Sequence, residues 1–214
     1  MTTAPPESVA DFRAALEEAL DWVALREQPW MFVLCNDLMG SMLPDIQGTL
    51  TEAGLSPVMT LTGMEIDSLT AGGAKPDGEW LTESATGIGG TALRLNEAAY
   101  QMPIAEPGSL TMEAEGWWRG PDRMISMLRN EGEATSCSAV FNVDGLRYVA
   151  FVATHPSAQR KGYAEAVMRD VLERSLAAGL GQRSYLHATA AGRPVYTRMG
   201  YTVTAEHTVY ALGH

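Results

Sequence analysis

The sequence predicts an α+β fold built on a mixed β-sheet with flanking helices, and two observations carry that reading. Three strand-like runs, separated by the turn pairs Glu131-Gly132 and Asp144-Gly145, form an antiparallel meander. The third run feeds a strand–helix–strand unit near the C-terminus, which adds a parallel pairing to the sheet. At 214 residues the chain has room for one large domain, or one domain and a partial second.

The elements follow in chain order. Ser8 caps an amphipathic helix, VADFRAALEEALDWVALREQ, that stops near Pro29. WMFVLC (30–35) is a short strand, PDIQGTLTEAG (44–54) a helix with Pro at its start and Gly at its end, and PVMTLTGMEIDSL (57–69) a strand. AGGAKPDG (71–78) has linker composition and marks the expected boundary between an N-terminal αβαβ region, 1–75, and a main domain, 76–214. EWLTESAT then reads as strand and GTALRLNEAAYQM (90–102) as a helix closed by Pro103. EPGSLTMEAEGWWRGPD is irregular. The meander covers 123–130, 133–143 and 146–154, and the following helix buries Ala166, Val167, Val171, Leu172 and Leu176. SYLHAT (184–189) is a strand, GRPVYTRMG (192–200) a short helix, and YTVTAEHTVYAL one or two last strands.

LTEAGLSPVMTLTGM (50–64) lies over YTRMGYTVTAEHTVY (196–210) with the same order of helix end, Gly and strand. Two readings stay open: a degenerate N-terminal copy of the C-terminal half, or the ordinary look of any αβ unit that ends in Gly.

Composition excludes several classes. The net charge of −11 argues against nucleic-acid binding. No apolar run approaches the length of a membrane helix, and MTTAPPESVADF lacks the features of a signal peptide. Cys35 and Cys137 form neither a disulfide framework nor a metal motif, so a reducing cytoplasm and no metal are expected. Charge is unevenly spread. Residues 1–145 hold 7 Lys+Arg against 22 Asp+Glu, whereas 146–214 hold 8 against 4. A polyanionic ligand on the C-terminal part explains this, as does chance clustering on a solvated face.

The basic segment contains ATHPSAQRKGYAEAVM (153–168), a strand-to-helix turn. Free amides at a helix start bind phosphate oxygens, and Gly162 and Ala164 let the backbone come close, with Arg160 and Lys161 adding charge. A Walker loop, GxxxxGK[ST], is absent. Gln159 to Ala164 instead fit [RQ]xxGx[GA], and Tyr196 to Tyr201 fit YxxxG[FY] about 30 residues on.

Together these motifs resemble the GNAT superfamily of acetyl-CoA-dependent N-acetyltransferases, over roughly residues 79–214. The resemblance implies a centrally splayed sheet of the acyl-CoA N-acyltransferase type, with acetyl-CoA as co-substrate and a common tendency to dimerise. It implies that the backbone of Phe151, Val152, Ala153 and Thr154 pairs with the pantetheine arm like an added strand. It places the pyrophosphate on Gln159, Arg160, Lys161, Gly162, Tyr163 and Ala164. It makes Tyr196 the acid that protonates the departing thiolate. Thr189 stands where many members carry Asn, and a hydroxyl replaces only part of an amide's hydrogen bonding.

Further candidates carry two readings each. His187 relays a proton from the amine, or is a satisfied core histidine. Glu113 and Glu115 supply a base or a cation site, or belong to a solvated loop. Tyr100, Met102, Trp117 and Trp118 line an acceptor pocket, or the tryptophans cap the core. The glycines of TGIGGTA (86–92) lack the GxGxxG spacing and read as a loop and helix start. The expected activity is acetyl transfer to a small-molecule amine or amino-acid-like acceptor. The alternatives are a non-catalytic acyl-CoA-binding sensor or scaffold and a protein or peptide N-acetyltransferase.

Overall fold

The computed structural model describes residues 5–26, 30–101, 111–114 and 116–213. These form two compact units, one comprising residues 1–63 with 204–214 and the other residues 64–203. The division falls at Gly63/Met64 and Val203/Thr204 rather than in the 71–78 linker.

In the first unit, α1 (Val9–Ala24) starts at Ser8, whose side chain accepts from the Asp11 amide. β1 (Phe32–Cys35), the short helix α2 (Asn36–Met39) and α3 (Leu43–Glu52) follow. β2 (Leu55–Ile66) leaves this unit at Gly63, and β8 (Thr202–Leu212) enters it at Thr204. The strand order is β1-β8-β2, with Phe32 opposite Tyr210 and Cys35 opposite His207 in the antiparallel β1–β8 pair. This pairing of the chain's last strand makes the unit discontinuous, and a boundary sought along the sequence misses it. Phe12, Leu16, Leu34, Ile46, Leu50, Leu55 and Tyr210 form its core. Both halves of the sequence echo are a helix stopped by a left-handed Gly before a strand. Gly54 (φ +80) leads into β2, and Gly200 (φ +102) into β8.

The second unit carries β3 (Glu79–Thr82), α4 (Ile88–Tyr100), β4 (Arg123–Asn130), β5 (Glu133–Val143), β6 (Leu146–Thr154), α5 (Tyr163–Ala177), β7 (Ser184–Ala188) and α6 (Arg193–Met199). Its strand order is β7-β6-β5-β4-β3, with β6–β7 parallel and the others antiparallel. This is the expected mixed sheet of an α+β fold. Both hairpin pairs, Glu131-Gly132 and Asp144-Gly145, take positive φ at both positions, as tight hairpins require.

Alternation along the strands divides two cores. Val140, Val149, Leu186 and Ala188 face α5 with Met168, Val171 and Leu172. Cys137, Ala139 and Ala153 face α4 with Ile88, Ala92 and Leu95. The buried stripe of α5 is Val167, Met168, Val171, Leu172 and Ser175; Ala166 is only half-buried, and Leu176 is exposed. The stripe is therefore turned from the predicted one, centred on the i, i+3, i+4, i+7 set that starts at Met168.

Gly89 lies in the first turn of α4, where a Cβ would come within 1.9 Å of the Met112 carbonyl oxygen and 2.7 Å of the Trp118 indole nitrogen. The obstacle is backbone, so Gly89→Ala is expected to cost roughly 1–3 kcal/mol and to lower the thermal midpoint by about 2–10 °C. At Gly90 the nearest neighbour is the movable end of Arg94, 3.3 Å away. Gly90→Ala is expected to leave the midpoint unchanged in the same melting experiment.

Candidate active site

Strands β6 and β7 pair only over Arg147–Val149 and Ser184–Leu186, and both continue unpaired with each other beyond that point. On its other side β6 slips register against β5 between Cys137 and Ala139, so Phe151 and Val152 together oppose Ser138. Phe151 takes φ +54, the left-handed conformation of a bulged residue. The bulge bends β6 where the splay opens. Three carbonyls beyond it take side-chain donors: Phe151 from the Cys137 thiol (3.3 Å), Val152 from the Tyr100 hydroxyl (2.8 Å) and Ala153 from the Ser136 hydroxyl (2.9 Å). Burial pushes the Cys137 thiol up to about 12, which keeps it a neutral donor beneath the bulge.

From Thr154 the chain makes one turn at Pro156–Ala158, pinned by His155 and Ser157 (2.8 Å between Nδ1 and Oγ), and enters α5. Arg160 (φ +61) and Gly162 (φ +80) are both left-handed, and Gly162 is the N-cap of α5. Alternating left- and right-handed backbone turns successive amides toward one side, making an anion-binding concavity. Among the described residues, the amides of Lys161, Gly162, Tyr163 and Ala164 donate to no protein acceptor. A Cβ at Gly162 would meet nothing within 4 Å, so the space in front of the turn is open. The side chains of Arg160 and Lys161 are exposed, and the Gln159 amide reaches back to the Thr154 carbonyl (3.5 Å).

Tyr196, on α6, is 6 % exposed and packs in the α5-side core edge-on to Tyr201. Burial, and then the nearby phenols of Tyr100 and Tyr201, push its pKa well above the ordinary 10.0. Thr189 caps the start of α6: its hydroxyl oxygen accepts from the Gly192 amide (3.2 Å) and its carbonyl from Arg193. The hydroxyl proton is left to donate elsewhere.

His187 is the first residue of β7 beyond its last pair with β6. Leu186 and Ala188 face α5, so His187 faces the α4 side, where its Nδ1 lies 3.0 Å from the Tyr148 hydroxyl. Sequence reasoning missed Tyr148. Its position on β6 was legible, but its register against β7, across the α5 crossover, was not.

Tyr100, the last residue of α4, stands at the splay through its bond to Val152. Trp118 is a core side chain, 2 % exposed, with its indole donating to the Met112 carbonyl. Trp117 packs edge-on against it, under the Arg123 guanidinium, and both lean on Phe141. Glu113 is half-buried, with one carboxylate oxygen enclosed and unpartnered among the described residues. Met102 and Glu115 lie outside the described residues. Among the described residues no cluster of His, Cys, Asp or Glu is arranged for a metal, and no helix is long and apolar enough to cross a membrane.

Residues 92–201 match the family described as acetyltransferase (GNAT), which is just over half of the chain. The chain belongs to the GNAT acetyltransferase family. Its fold is shared with a GCN5-related N-acetyltransferase from Kribbella flavida (TM-score 0.71, 19 % identity, covering 98 % of this chain and 78 % of that one). A functionally unknown conserved protein from Staphylococcus epidermidis is also similar (TM-score 0.63, 12 % identity, 97 % and 81 % covered). So is a GCN5-related N-acetyltransferase from Sphaerobacter thermophilus (TM-score 0.59, 15 % identity, 94 % and 65 % covered). No curated protein matches the chain. The GNAT match takes in the splay, the Gly162 turn and Tyr196. The donor set suits a diphosphate: oriented amides, two cationic side chains and a helix N-terminus.

Proposed function

We propose that the chain is an N-acetyltransferase that moves the acetyl group of acetyl-CoA directly onto a small amine or amino-acid-like acceptor. One observation carries the reading: the β6–β7 splay opens beside a helix start whose amides donate to no protein acceptor among the described residues. In this reading the Gly162 turn holds the pyrophosphate, and the pantetheine arm lies along β6 past the bulge. When bound, acetyl-CoA supplies an activated thioester carbonyl.

The residues of the chain then have defined tasks. Backbone amides beside the Phe151 bulge polarise the carbonyl. The amine nitrogen bonds to the acetyl carbon as the carbon–sulfur bond breaks; the Tyr196 hydroxyl donates its proton to the sulfur, and the proton shed by the nitrogen passes through water and restores the phenol. The excess of 22 acidic over 7 basic residues in 1–145 supports a cationic acceptor, because a negative field raises the local concentration of such a molecule.

The test is a panel of small amines, amino acids and peptides, read by release of free CoA, on protein first shown to bind acetyl-CoA by thermal shift. Binding and turnover with a small amine are expected. Absence of a thermal shift removes the whole reading; turnover with peptides alone moves the acceptor to protein.

A further inference from the structure

Phe151 holds left-handed backbone within β6, a conformation that a bulky residue keeps only where its neighbours enforce it. Both ends of the residue are held. Its ring packs against Trp118 and Phe141, with centroids 6.0 and 6.3 Å away. Its carbonyl accepts from the thiol of Cys137 on β5 (3.3 Å). That thiol is fully enclosed, and its sulfur accepts from Nδ2 of Asn96 on α4 (3.8 Å). Asn96 is fixed in turn, since the same Nδ2 donates to the Ala92 carbonyl (2.9 Å). A cysteine that only fills a core needs neither partner. This one ties α4 to a single carbonyl of β6.

Peptide geometry then gives a direction. Among the described residues every peptide bond is trans, so the carbonyl and the amide proton of one peptide point opposite ways. The Phe151 carbonyl points toward Cys137 of β5. The Val152 N–H, at the other end of the same peptide, therefore points away from β5. On that side β7 stopped pairing with β6 at Val149, three residues earlier, so the amide is aimed into the splay. A hydrogen bond accepted by a peptide carbonyl polarises the whole peptide and makes its N–H a stronger donor.

We propose that Cys137 is a positioning residue: its hold on the Phe151 carbonyl aims and strengthens the Val152 N–H as the donor to the thioester oxygen. The proposal rests on the N-acetyltransfer reading. The oxygen gains negative charge as the amine nitrogen bonds to the acetyl carbon, and loses it as the carbon–sulfur bond breaks. The Val152 amide stabilises that charge without giving up its proton. Burial keeps the thiol protonated throughout the neutral range, so the donor to Phe151 is not lost there.

Amide proton NMR on the unmodified protein reads the aim of Val152 and needs no variant to fold. The Val152 signal should move further downfield with acetyl-CoA than with CoA, which lacks the carbonyl. Cys137→Ala should move that signal upfield and lower kcat about tenfold, the loss of one ordinary hydrogen bond, with the KM for acetyl-CoA changed by less than about threefold. Cys137→Ser puts a hydroxyl donor in the same slot and should bring kcat back to within about threefold of the parent. A thiol that served packing alone would show no such rescue. A Val152 signal indifferent to the acetyl group, parental kcat in Cys137→Ala, or equal losses in the Ala and Ser variants overturns the proposal while turnover stands. If acetyl-CoA binds and no amine turns over, the transfer reading fails and takes the proposal with it.

Discussion

Gly162→Asp is expected to weaken acetyl-CoA binding at least a hundredfold and to shift the melting midpoint of the unliganded protein by no more than about 3 °C. The two halves of this result come from the same geometry. Gly162 sits at φ +80 as the N-cap of α5, and a Cβ there meets nothing within 4 Å. A side chain at φ +80 is strained, least so for Asp and Asn, and the carboxylate at the positive end of the helix dipole offsets part of that strain. The unliganded midpoint should accordingly shift by no more than about 3 °C in either direction. The bound state is another matter. The substituted carboxylate occupies the space toward which the amides of Lys161 to Ala164 point, so a diphosphate would meet a fixed negative charge. Like charges placed in contact cost several kcal/mol, which predicts at least a hundredfold weaker binding. Isothermal titration with acetyl-CoA and a melting curve without it read both halves. Unchanged affinity would place the phosphates elsewhere; a large loss of stability would make Gly162 a folding glycine.

The readable parts of this site were the local ones. Asp144-Gly145 and Glu131-Gly132 specify their turns by the conformations that their own residues accept, and Gly162 and Gly200 mark helix ends for the same reason. The parts that stayed hidden depend on register between distant segments. Nothing in LRYVAFVAT shows that Phe151 will bulge, because the bulge is a mismatch with β5, held by the Cys137 thiol beneath its carbonyl. Likewise Tyr148 and His187 meet only because β6 and β7 align Tyr148 with Tyr185, a register set across the whole α5 crossover. The compact units divide elsewhere than the 71–78 segment for a similar reason. Composition drew it at the Gly- and Pro-containing 71–78 segment, whereas the fold is divided by β8 returning to pair with β1.

Tyr196→Phe is expected to lower kcat by about 10²–10³-fold, the range for losing a positioned proton donor, with the KM for acetyl-CoA nearly unchanged. The substitution keeps the ring in the core with Met168, Leu172, Met199 and Tyr201. It removes only a hydroxyl that has no protein hydrogen-bond partner among the described residues, so the loss falls on chemistry rather than on packing. Burial is the chief reason that the phenol holds its proton, and a neutral phenol is the form that can give one to a thiolate. The sign of the pH effect follows. With the folded pKa raised above the unfolded value of 10.0, the stability contribution is complete below pH 10 and declines as pH rises beyond it. Tyr196 should thus add no alkaline limb to kcat between pH 6 and 10, and above pH 10 the parent's melting midpoint should fall more steeply than that of Tyr196→Phe. A variant with full kcat would leave Tyr196 a core aromatic and pass the task of protonating sulfur to solvent. A variant that loses acetyl-CoA affinity instead would make its hydroxyl a binding group.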